Sequence, residues 1–326
     1  MWLFALPLLV PALAGLAARP LAGRLEPRQA VWLLTAASVA LAACSTATLA
    51  LAVAFAAIRS PVLAAAGDYS LLAVRQADPV PALAGQLAVL LLAAAVVGMA
   101  AAIRRRAIAI TSSYRHAATL TASDGIVVLP GPAVDAYALP GGPGRIVISG
   151  CLLDRLDPRG RAALVAHEHA HLTGRHYLFA TAARLAAAAN PLLLPVARAV
   201  DYALERWADE HAAVITGDRR LVAETIGRVA LLASPPGPQR LVVAFGALGS
   251  RWHRLSVATA GPVPRRVAAL LTAPPRRGAW VPATATAIVL LAVAAAALAA
   301  ADLHALVEFG QAADQGLRGS LASRAG

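Results

Sequence analysis

Four apolar runs dominate this sequence, at about residues 2–18, 31–58, 83–103 and 281–301. A helix needs about 20 apolar residues to cross the hydrocarbon of a bilayer. The runs therefore predict a mainly α membrane protein with about four transmembrane helices. The first run is short and carries Pro7 and Pro11, and the second is long enough to tilt. The alternative is a soluble protein with buried alanine-rich helices. Composition speaks against it: charged residues are 14% and hydrophobic residues 59% of the chain, whereas soluble domains carry roughly a quarter charged residues. A signal peptide is not expected in the first run, because the first arginine, Arg19, follows it instead of preceding it.

The net charge is +12, and every basic residue is arginine. These arginines do not form one basic face with interleaved aromatics, so nucleic acid is not an expected partner. They flank the apolar runs instead: Arg19, Arg24 and Arg28; Arg104, Arg105 and Arg106; Arg265, Arg266, Arg276 and Arg277. That placement reads as anchoring at anionic lipid surfaces. Arginine counts on the loops then put the N-terminus outside, the loop at 19–30 and residues 104–280 in the cytoplasm, and the C-terminal tail outside. The expected organisation is three transmembrane helices with short loops over 1–103, a cytosolic domain over 104–280, a fourth transmembrane helix over 281–301 and a tail over 302–326. Cys44 and Cys151 are far apart in sequence and read as two small core residues.

Within 104–280, residues 125–129 and 145–149 are rich in Val and Ile and read as strands, while Pro140, Gly141 and Gly142 mark the stretch from Ala136 as a turn. Asp157-Pro158 is an N-cap followed by proline at the first helical position, and Gly174 is a stop. A second helix runs roughly over 195–216 and ends at Gly217.

The first of these helices carries His167-Glu168-His169-Ala170-His171. Four residues apart, His167 and His171 emerge on one helix face one turn apart, a spacing that suits two ligands of a tetrahedral Zn²⁺. Glu168, rotated by about 100°, can reach a metal-bound water as general base without being a ligand. The pattern arises by chance roughly 0.004 times in a chain of this composition. The competing reading, satisfied polar histidines, fits poorly beside the apolar run at 162–166. Downstream, Glu205 and Asp209 are again four apart. Glu205 can supply the third ligand, and Asp209 can hydrogen-bond the far nitrogen of a ligating histidine; a solvated charged face is the alternative. Residues 178–200 are apolar enough to be a fifth span. A single crossing would part His171 from Glu205, so the segment, with its Asn190-Pro191 turn signal, reads as a helical hairpin packed in the domain or dipping into the bilayer. His169 lies on another face, and His176 and His211 are the nearby candidates for a fourth ligand.

The zinc-helix residues 166–171, the Asn190-Pro191 pair, and Glu205 with Ala208-Asp209 resemble the BlaR/MecR-type membrane metallopeptidases. The segment at 136–150 leading into the zinc helix also resembles the HtpX-type and CAAX-processing peptidases. The resemblance covers about 105–280 and the arrangement of three spans before and one after. It implies an α+β zincin-like (gluzincin) domain inserted between transmembrane helices. It implies zinc on His167, His171 and Glu205, Glu168 as base, and Asp209 behind the ligands. The strand at 145–149 would be an edge that receives the substrate backbone. The implied activity is zinc-dependent endopeptidase cleavage of a protein or peptide, such as a cytosolic transcriptional repressor. A structural zinc in a non-proteolytic signalling protein and an HtpX-like quality-control protease are the alternatives. BlaR-type sensors carry a large β-lactam-binding domain after the last span; about 25 residues follow Ala301 here, so direct β-lactam sensing is not expected.

Overall fold

The computed structural model describes residues 2–66, 69–77, 82–132, 134–141, 144–233 and 262–273, with scattered helical positions between 283 and 315. The chain opens on two long helices, α1 (Trp2–Arg24) and α2 (Pro27–Ala57). Two short helices, α3 (Pro61–Ala66) and α4 (Leu71–Ala77), lead into α5 (Ala82–Thr119). Two helices, Pro27–Ala57 and Leu83–Thr119, are long and apolar enough to cross a membrane. The expected run at 281–301 and the tail at 302–326 lie largely outside the described residues.

At 38 residues α5 is about 57 Å long, roughly twice the thickness of bilayer hydrocarbon. From Arg104 it continues unbroken to Thr119, so the inserted region opens on a helix and not on the expected strands. A three-stranded sheet follows: β1 (Ile126–Leu129), β2 (Ala136–Leu139) and β3 (Arg145–Ser149), in the order β1-β3-β2. The pair β1–β3 is parallel and β2–β3 antiparallel. Two expectations are corrected here. Residues 136–139 form a strand, because Ala136, Tyr137 and Leu139 are buried, and the turn signals act after them. β3 is central and cannot be a free edge; β1 and β2 are the edge strands, and β2 is the one that lines a cavity. Ser149 donates its backbone N–H to the carbonyl of Asp135. The antiparallel alternation therefore pairs Asp135, Tyr137 and Leu139 with β3 and turns the backbone of Ala136 and Ala138 to the open edge.

Ser149 caps the short α6 (Gly150–Asp154), accepting from the Leu152 N–H at 3.3 Å. Asp157 caps α7 (Pro158–Thr173) by accepting from the Gly160 N–H at 2.7 Å, and Gly174 closes it. Next come α8 (His176–Ala189), a single 3₁₀ turn at Pro191–Leu193 and α9 (Leu194–Thr216), the last ending at Gly217 with φ +68. This is the expected hairpin, and it returns the chain to α7. α10 (Arg219–Leu232) packs against α7 and α9, and α11 (Pro262–Leu271) packs against α10 and α9.

The hairpin tip sits among the apolar runs of the long helices. Asn190 Oδ1 accepts from the Leu192 N–H at 3.1 Å, while its Nδ2 donates to Ser45 Oγ of α2 at 2.9 Å. Gly98 of α5 lies against the carbonyl of Ala188 and Gly15 of α1 against that of Leu192; added Cβ atoms would come within 3.1 and 3.3 Å. Helix-to-helix approach this close excludes side chains. At the other end of α1, buried Arg206 of α9 donates through Nη1 to the carbonyls of Ala22, Gly23 and Leu25 at 2.7, 3.3 and 3.2 Å. These belong to the last turn of α1 and the residue beyond it, where carbonyls lack helical partners. At the far end of the molecule, the Ser70 N–H donates to the carbonyl of Gly310 at 2.9 Å. That contact places the loop after α2 and the segment beyond residue 301 on the same side, opposite the sheet.

Candidate metal centre

Helices α7 and α9 cross with their buried faces together, and each presents residues four apart. From α7 come His167 and His171; from α9, Glu205 and Asp209. His167 and His171 bring their Nε2 atoms to 3.3 Å. Glu205 approaches both: Oε2 is 3.7 Å from His167 Nε2, and Oε1 is 3.7 Å from His171 Nε2. Among the described residues, these three are the group of donors close enough together to hold a metal ion. An ion held tetrahedrally about 2.0–2.1 Å from each donor sets them about 3.3–3.4 Å apart, so the residues fit zinc without a large rearrangement.

The far sides of the ligand rings are held. His167 Nδ1 lies 3.0 Å from Asp209 Oδ1. His171 Nδ1 lies 2.9 Å from His176 Nδ1. His176 was a candidate fourth ligand; its ring instead stands behind His171, stacked 4.6 Å from the ring of Trp207. Burial pushes His176 down to about 4, so the ring is neutral; when Nε2 of His171 faces a metal, its Nδ1 carries the proton and donates to Nδ1 of His176. That hydrogen bond fixes the tautomer in which His171 offers Nε2 to a metal.

Arg266 of α11 completes the site. Its Nη1 lies 2.8 Å from Glu205 Oε2, and its Nε and Nη2 donate to the two carboxylate oxygens of Asp209 at 2.8 and 2.6 Å. Only 3% of it is exposed. Read from sequence as one of a pair of lipid-facing arginines, it points into the protein, because two buried carboxylates need a counter-charge. Burial would raise Asp209, but Arg266 and the hydrogen bond to His167 hold it below the usual carboxylate range. Burial lowers His167, yet the hydrogen bonds to Asp209 and Glu205 outweigh it and carry the ring up to about 10.

Glu168 is 1% exposed and lines a cavity of about 110 Å³ together with His171 and Glu205. Tyr137 and Ala138 of β2, Ala109 and Ile110 of α5, and Ala180 of α8 complete its apolar walls. Arg106 and Asp201 lie at its rim, Asp201 paired with Arg184. The arrangement joins three metal donors, a carboxylate beside them and an apolar recess flanked by an open strand edge. His169 is exposed and His211 lies outside the donor group; His253 lies outside the described residues.

No curated protein and no solved structure matches the chain. Residues 104–189 match the model of peptidase family M48, which supports a metallopeptidase. The matched stretch takes in the end of α5, the sheet, α7 and α8, whereas Glu205, Asp209 and Arg266 lie beyond it.

Proposed function

We propose that this protein is an integral-membrane zinc-dependent endopeptidase with its site on the cytoplasmic side. The observation that carries this is the spacing of His167, His171 and Glu205 at a tetrahedral edge, with Glu168 in the same cavity. His167, His171 and Glu205 would hold the zinc, and Asp209, His176 and Arg266 would fix their orientation. When bound, zinc supplies an acidified water and polarises the peptide carbonyl. Glu168 accepts the proton from the attacking water and delivers it to the leaving amine. The open edge of β2 aligns the substrate backbone by strand addition through Ala138, and the recess receives a neighbouring apolar side chain.

The site stays open on the cavity side. His176, occupied behind His171, does not close it as a fourth ligand would, which weighs against a purely structural zinc. The substrate is a protein or peptide. A cytosolic transcriptional repressor is the partner implied by the BlaR/MecR-type resemblance. A membrane-protein substrate, as in quality control, is favoured by Arg106, which follows the apolar run of α5 yet lines the cavity rim. Glu168→Gln tests the reading: it is expected to retain one zinc per chain and lose cleavage of a casein or peptide library. Undiminished cleavage would sink the proposal. Peptides that accumulate uncut when the variant replaces the wild type would separate the two substrates.

A further inference from the structure

α11 presents neighbouring arginines to opposite sides. Arg266 grips Glu205 and Asp209, while Arg265 lies flat over the Tyr202 ring, Cζ 4.2 Å from its centroid. Arg265 Nη2 also stands 3.6 Å from the position a Cβ would take on Gly23, in the last turn of α1. Arg28 at the start of α2 stands over Trp207, its Cζ 5.7 Å from the ring. Arg24 and Arg28 are exposed, with Glu26 the one acidic residue between them. Trp32, one turn beyond Arg28, is 57% exposed and edge-on to Phe179. Exposed tryptophan beside arginines, where an apolar helix begins, is the pattern of a bilayer interface.

Three features set this cluster apart from general anchoring. The guanidinium groups of Arg28 and Arg265 stand over aromatic rings within cation–π range and so are pre-oriented. The aromatic platforms, Tyr202 and Trp207, flank Glu205 on the same helix. And α11 connects directly to the centre through Arg266. We infer that the arginine cluster of the α1–α2 turn and α11 binds the phosphate of an anionic phospholipid headgroup, and that this lipid strengthens the peptidase by seating α11. An anion bridging Arg265 to Arg24 and Arg28 ties α11 to the α1–α2 turn and holds Arg266 against the Glu205 and Asp209 carboxylates. The lipid acts on ligand geometry and touches no reacting atom. This inference rests on the membrane-peptidase reading above.

The full chain is tested in phosphatidylcholine vesicles with and without phosphatidylglycerol, beside Arg28→Gln/Arg265→Gln and, as a control, the exposed Arg220→Gln. Three readouts are taken: phosphatidylglycerol retained in detergent by native mass spectrometry, rate of zinc loss to a chelator, and peptide cleavage. Expected for wild type and control is retained phosphatidylglycerol, several-fold slower zinc loss in the anionic vesicles and several-fold higher kcat/KM. The double variant is expected to lose all three responses while matching wild type in pure phosphatidylcholine. Equal lipid retention by the double variant and wild type would overturn the inference, as would zinc loss indifferent to the anionic lipid. Stimulation by inorganic phosphate or polyglutamate in phosphatidylcholine vesicles would overturn it in favour of a soluble anion. A chain that cleaves nothing but shows the lipid-dependent zinc retention would defeat the peptidase reading and leave the lipid site standing.

Discussion

Arg266→Met removes the cation that joins the third metal donor to the residue behind the first. Met keeps similar length and apolar bulk, so the perturbation is chiefly electrostatic. In the wild type, Arg266 makes one contact to Glu205 and two to Asp209, all of 2.8 Å or less. Glu168, Glu205 and Asp209 together bring three negative charges to a buried site; Arg266 supplies one positive and a divalent metal two more. Without the arginine, two carboxylates lose their shared partner. Breaking one buried ion pair costs roughly 3–5 kcal/mol. At an unfolding entropy of about 2.1 cal/mol/K per residue, a chain of 326 residues shifts by about 1.5 °C per kcal/mol, so this becomes a fall in Tm of about 4–7 °C. Loss of support behind metal ligands typically weakens metal binding about 10–100-fold. Thermal unfolding in detergent, with zinc content by mass spectrometry after graded chelator, reads both quantities. Arg266→Lys separates charge from geometry. An ammonium cannot span both carboxylates as the planar fork does, so this variant falls between wild type and Arg266→Met. An Arg266→Met protein with wild-type zinc retention and a Tm within about 1 °C, less than a single kcal/mol would produce, would refute the reasoning.

His176→Phe keeps the ring against Trp207 but removes the acceptor behind His171, and zinc affinity falls about 10–100-fold, read by chelator competition. Asn190→Ala removes the bond to Ser45 and the cap of the 3₁₀ turn, costing about 1–3 kcal/mol as a buried polar partner is left unmatched, visible as a lower denaturation midpoint with zinc affinity unchanged. Ala138→Pro deletes an outward N–H on the β2 edge, where proline is tolerated. KM for peptides rises several-fold while zinc content holds, as kinetics and metal analysis on the same preparation will show.

The local chemistry of the site is legible in the sequence, because helical spacing alone brings His167 to His171 and Glu205 to Asp209 on single faces. The caps at Asp157 and the stop at Gly217 are legible for the same reason: each acts within one turn of its own position. Arg266 is not. It reaches Asp209 across 57 residues of chain, and an arginine beside another arginine and a proline reads as a surface anchor until a tertiary contact turns one of the two inward. Arg206 is hidden likewise, since its partners are bare carbonyls with no sequence signature. The β2 strand was masked by the Pro-Gly signals next to it, which end the strand and do not replace it. The continuation of α5 beyond Arg104, Arg105 and Arg106 was also hidden, because three consecutive arginines end an apolar run without breaking a helix.

The grip of Arg206 on the end of α1 pins α9 close to its midpoint and makes the helix a lever that pivots beside the metal donors. One arm runs some 12 residues to Leu194, about 18 Å, and ends at the hairpin tip beside α1, α2 and α5. Glu205 lies one residue before the pivot and Asp209 three beyond it, within about 2–5 Å along the axis. A sideways displacement of about 2 Å at the hairpin tip therefore arrives at the carboxylates as about 0.2–0.5 Å, within the roughly 0.5 Å that a preorganised site tolerates. The tip can be jostled while the donors beside the pivot stay in place.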